Sequence, residues 1–153
     1  MVPLSQALAQ MRSSLRPRFF VCALLVSLAG GCTSGARSFP EFHGVDRIDI
    51  ACSSDKVASI TNPAQVRAIV AFVNERQDNW TTPWAGVPVG SARVEIHRGK
   101  DFLGSFGSGR NFFETQQDGG FYSRDASKED LDEFKRLLQA AGANATLAEC
   151  WSS

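Results

Sequence analysis

The sequence predicts an α+β domain: an antiparallel sheet of about five or six strands with two helices packed on one face, in the order β-β-α-β-β-β-(β)-α. Two observations predict it. Between residues 45 and 122, short stretches with apolar residues at every second position are separated by Gly-, Asp- and Asn-bearing turns, the pattern of half-buried antiparallel strands. Two longer stretches instead repeat apolar residues at helical spacing behind an N-capping side chain. Strands joined by short turns, with helices inserted among them, are the pattern of an α+β layer architecture.

The first strand is Val45 to Cys52, where Ile48, Ile50 and Cys52 share one face and Arg47, Asp49 and Ala51 the other. Ser53-Ser-Asp55 turns the chain into a second strand, Lys56 to Ile60. Asn62 is a suitable N-cap for the first helix, Pro63 fits its first position, and Gln65 stands where a capping-box partner would return a bond. Val66, Ile69, Val70 and Val73 form its apolar face, Arg67, Asn74 and Glu75 are expected to face water, and the helix should stop near Gln77. After a Pro- and Gly-punctuated loop from Asn79 to Gly90, Ser91 to Arg98 reads as a strand with Ala92, Val94 and Ile96 inward and Arg93, Glu95 and His97 outward. Gly99-Lys100 reverses it into Asp101 to Phe106, Gly107 to Asn111 reverses that into Phe112 to Thr115, and Asp118 to Gly120 leads into a last short strand at Phe121-Tyr122. Ser127 caps the second helix, with Leu131, Phe134, Leu137, Leu138 and Ala141 inward and Gly142 at its end.

The N-terminal stretch has a different character. Arg12, Arg16 and Arg18 precede the apolar run from Phe19 to Ala29, and no acidic residue occurs before Glu41. The run is well short of the roughly 20 residues needed to span a hydrocarbon core, so it reads as a secretory h-region. It ends in Leu28-Ala29-Gly30-Gly31-Cys32, small residues before a cysteine. This region, residues 11 to 33, resembles the signal peptide and lipobox of a bacterial lipoprotein, with Ala29 where the commonest form has leucine. The resemblance implies lipidation of Cys32 and an anchor in membrane lipid. Thr33, in place of the aspartate that marks inner-membrane retention, implies an outer-membrane address facing the periplasm. An ordinary signal cut after Ser34-Gly35-Ala36, with Cys32 incidental, is the alternative. Met11 places the arginines directly before the apolar run and is the expected initiator. The expected organisation is a signal over 1–31, a lipidated N-terminus and tether over 32–44, and one domain over 45–153.

Loss of the signal removes three of the 16 basic residues and leaves 13 against 16 acidic, a net charge near −3. That balance provides no electrostatic footprint for nucleic acid. Of the four cysteines, Cys22 leaves with the signal and Cys32 would carry lipid, so Cys52 and Cys150 remain in an oxidising compartment and are expected to form a disulfide. A metal pair, which would lack further ligands nearby, and two free buried thiols are the alternatives.

Only His43 and His97 are available as bases near neutral pH, and neither lies in a nucleophile motif; both read as surface residues, and no catalytic residue is assigned. Glu129 to Glu133 lacks the alternating ligands and turn glycine of a calcium loop, so helix-start charge explains it better. Gly104, Gly107 and Gly109 lead into a strand instead of a helix, which makes them hairpin glycines and not a phosphate cradle. No metal or cofactor site is assigned. The candidate partner-binding residues are Trp80 and Trp84, in the loop, and Arg110, at a turn. Each tryptophan either folds over an open end of the core or is presented as an anchor for a partner. The expected function is a membrane-anchored envelope lipoprotein, non-enzymatic, binding a protein or cell-wall partner. A small-ligand binder with a cleft between helix and sheet, and an envelope-polymer hydrolase using Glu95, Asp101 or Glu114, are the alternatives.

Overall fold

The computed structural model describes residues 35–52, 55–86, 90–142 and Cys150. The predicted signal segment, Cys32, the predicted turn at Ser53-Ser54, part of the tryptophan loop and most of the C-terminal tail lie outside the described residues. No helix among the described residues is long and apolar enough to cross a membrane.

Six antiparallel strands form one sheet: β1 (Arg47–Cys52), β2 (Asp55–Ile60), β3 (Ala92–Arg98), β4 (Asp101–Ser108), β5 (Phe112–Gln117) and β6 (Gly120–Asp125). Helix α1 (Pro63–Asn74) separates β2 from β3, and α2 (Lys128–Ala140) follows β6. The spatial order is β2-β1-β3-β4-β5-β6, so β3 to β6 form a meander and the β1–β2 hairpin adds to its open edge. This is the predicted architecture and element order. β4 runs two residues further than expected, and β6 extends from the expected pair to Gly120–Asp125. Gly107 therefore lies within a strand instead of a turn. A Cβ on Gly107 would meet Glu114 Oε1 at 2.7 Å, so the missing side chain admits that carboxylate.

Registry puts Ile48, Ile50, Val94, Ile96 and Phe106 on one face, where all five are fully buried. Both helices cover this face. Phe72 of α1 stacks on Phe134 of α2 at 5.4 Å, and each ring meets Phe106 and Phe113 of the sheet. Phe72 belongs to the inward face of α1 together with the predicted Val66, Ile69 and Val73.

Helix ends follow local chemistry, with two corrections. Asn62 Oδ1 accepts from Ala64 N at 2.9 Å and Gln65 N at 3.4 Å, as an N-cap should. The Gln65 side chain, however, donates to the Ala140 carbonyl at 3.0 Å and so ties α1 to the end of α2 instead of closing a capping box. Asn74, expected to face water, accepts from Phe42 N at 2.9 Å and donates to Phe42 O at 3.1 Å. That pair clamps the incoming chain. Arg37 exchanges backbone hydrogen bonds with Trp80, and Phe39 and Phe42 are buried, so the packed domain begins before the expected residue 45. Tether residues 37 to 42 carry two phenylalanines, and burying them outweighs leaving that stretch extended.

Cys52, at the end of β1, and buried Cys150 stand at disulfide distance, with Cα atoms 5.4 Å apart.

Candidate functional site

Arg76, just past the end of α1, sets the base of the tryptophan loop. Its carbonyl accepts from Trp80 Nε1 at 2.9 Å and from Arg124 Nη1 at 3.1 Å. Arg124 also takes the Asp78 carbonyl at 3.0 Å, so a cation of β6 satisfies carbonyls left open where the helix ends. Asn79 adopts φ +65°, which asparagine tolerates better than most residues, and turns the chain. Trp80 then enters the core at 1% exposure, its ring 5.9 Å from Phe106, and Thr81 pairs with Ser123 at the sheet edge.

Trp84, four residues on, is 98% exposed. One tryptophan is the root of the loop and the other its tip. Between the tip and the sheet edge lies an open cleft of about 510 Å³. Thr81, Thr82 and Pro83 line it on the loop side, and Asn111, Phe112, Ser123, Arg124 and Asp125 on the sheet side. The walls thus offer one indole, one phenyl ring, amides, hydroxyls and a charge of each sign. Such a surface can stack a flat apolar face and hydrogen-bond its polar edge.

The predicted binding residues are therefore separated. Trp80 is core, Trp84 is at the cleft, and Arg110 stands exposed at the β4–β5 turn beside Asn111. Arg124 was missed from sequence. Its signal is a cation inside a strand that registry turns to the helix side, where the ends of broken helical hydrogen bonding need a donor.

The three carboxylates considered for hydrolysis have different partners. Glu114 is buried against Arg93 Nε at 3.2 Å and Gly90 N at 3.2 Å, Asp101 is an exposed partner of Arg98 at 3.7 Å, and Glu95 lies 3.6 Å from His97. His43 is exposed, as expected, but His97 is only 9% exposed although it lies on the sheet face away from the helices. Neighbouring side chains on β1, β3 and β4 cover it there, including the Phe102 ring at 5.7 Å. A pocket of about 400 Å³ beside α1 is lined by residues 42–45 and by Val66, Arg67, Val70, Ala71 and Asn74 of the helix.

No protein-family model, no curated protein and no solved structure matches this chain.

Proposed function

We propose that this chain is a lipid-anchored envelope protein whose α+β domain is a non-enzymatic binding module, with the Trp84 cleft as its site. The carrying observation is the 98% exposure of Trp84 at the mouth of a 510 Å³ cleft. A tryptophan left in water by a domain that buries Trp80 and its phenylalanines is informative, since large aromatics are mostly covered. Tryptophan is also enriched among residues that dominate binding energy. A protein segment or a cell-wall glycan fits the lining, because both present apolar faces edged by hydrogen-bonding groups.

The anchor places this site near the bilayer. With Cys32 lipidated, four residues lie between it and Arg37, so that five Cα–Cα steps give a reach of at most ~18 Å. Arg37 pairs with Trp80, which roots the loop that carries the cleft. The partner is therefore one found within a short distance of the membrane surface.

Two measurements test the two halves. Radiolabelled palmitate should label the wild type and not Cys32→Ser, and Cys32→Ser should leave the membrane fraction; unchanged fractionation of that variant defeats the anchor. Cross-linking in intact cells, followed by analysis of both proteins and cell-wall fragments, should capture a partner, and capture of neither class defeats the binding module.

A further inference from the structure

On the sheet face away from the helices, Asp49 of β1 lies opposite Glu95 of β3, and His97 follows two residues along β3 on the same face. One donor atom from each of the three side chains falls within 4.8 Å of the other two. His97 Nε2 is 3.6 Å from Asp49 Oδ2 and 3.6 Å from Glu95 Oε2. These separations are too long for hydrogen bonds. They match the edge of a tetrahedron whose corners lie about 2.0–2.2 Å from a central ion, roughly 3.3–3.6 Å.

A second observation concerns His97 alone. It is 9% exposed, and both of its ring nitrogens are buried without a hydrogen bond among the described residues. Buried polar atoms are ordinarily satisfied, and Nε2, the nitrogen that faces both carboxylates, is the one that an ion held between them would take.

We propose that Asp49, Glu95 and His97 bind one divalent transition-metal ion of the zinc class. Two carboxylates and a neutral imidazole balance a charge of +2 and supply the three protein ligands of an open tetrahedral site. Calcium is a poor match, since it takes six to eight oxygen ligands. Ser59 Oγ donates to Asp49 Oδ1 at 2.7 Å, which orients that carboxylate and leaves Oδ2 toward His97. Glu95, with a side chain 42% exposed, forms the solvent side through which the ion enters. Arg47 Nε, 3.4 Å from Asp49 Oδ2, is a competing cation, and its partly exposed side chain must yield when the ion binds. The bound ion joins β1 to β3 and does not depend on the Trp84 cleft.

The test uses the full chain in detergent, with free thiols alkylated so that only this cluster is titrated. Zinc is followed by calorimetry and by proton–nitrogen imidazole spectra, which two histidines keep simple. The expected result is one equivalent bound, with a shift of His97 Nε2 and none at His43. Glu95→Gln, a change at an exposed side chain, should weaken binding by at least ~10-fold, judged from the 10–100-fold cost of losing even an outer partner. Arg47→Gln should tighten it. No saturable binding, a shift confined to His43, or equal affinity in the wild type and Glu95→Gln overturns the proposal.

Discussion

Two tryptophans four residues apart have opposite duties, and single substitutions should separate them. Trp80 fills the end of the aromatic core and hydrogen-bonds the Arg76 carbonyl, so Trp80→Ala leaves a cavity and removes one of the two donors to that carbonyl. It should cost about 3–5 kcal/mol in urea unfolding. Trp84 touches water on nearly all sides, and Trp84→Ala should change stability by no more than ~0.5 kcal/mol. Equal losses in the two variants would contradict the assignment of root and tip. The sequence could not make this distinction, because both residues sit in one Pro-rich loop without periodicity. What separates them is tertiary: Trp80 falls beside Arg37 and Phe106, which are distant along the chain. The same limit applied to His97. Alternation correctly put it on the face away from the helices, but its burial there depends on neighbours across three strands.

At the scale of elements, the helix pair is held by more than its apolar stripes. Arg76 lies over the Phe72 ring at 3.5 Å, and its guanidinium donates to the Phe72 carbonyl at 2.8 Å and to Asp130 at the start of α2 at 2.6 Å. Arg76→Gln should therefore destabilise the domain by about 2–3 kcal/mol, measured by urea unfolding. A change below ~0.5 kcal/mol would show that the pair is ornamental. The hydrogen bond from Arg76, helped by Ser127, holds the Asp130 carboxyl below its ordinary range. A carboxyl whose folded value is depressed contributes stability that is complete above its unfolded value, about 3.9, and is lost as pH falls toward the folded value. Asp130→Asn should accordingly lose stability at neutral pH and show a shallower acid dependence below about pH 4. Strands and caps were legible in the sequence because they are set locally, by alternation and by Asn62, Pro63 and Ser127. Arg76 to Asp130, Gln65 to Ala140 and Asn74 to Phe42 were not, since each joins segments that only the fold brings together.

For the whole molecule, the Cys52–Cys150 pair spans a separation of 98 residues and ties the end of β1 to the chain after α2. Cys52→Ser with Cys150→Ser should lower stability by about 2–4 kcal/mol, within the chain-entropy limit of ~4.7 kcal/mol for so long a loop. Thiol titration of the unfolded wild type should find neither cysteine free; two reactive thiols there would refute the bridge. At its other end the domain is clamped by Asn74 and by the Arg37–Trp80 pairing, which shortens the expected tether. The proposed function turns on Trp84 being presented to a partner. It is tested most directly by placing a photo-cross-linking residue at Thr82, which is exposed and lines the cleft, in cells that express the protein with Trp84 or with Trp84→Ala. One dominant adduct is expected, and it disappears in the Trp84→Ala form while the level and folding of that form are unchanged. An adduct of equal yield in both forms would contradict it.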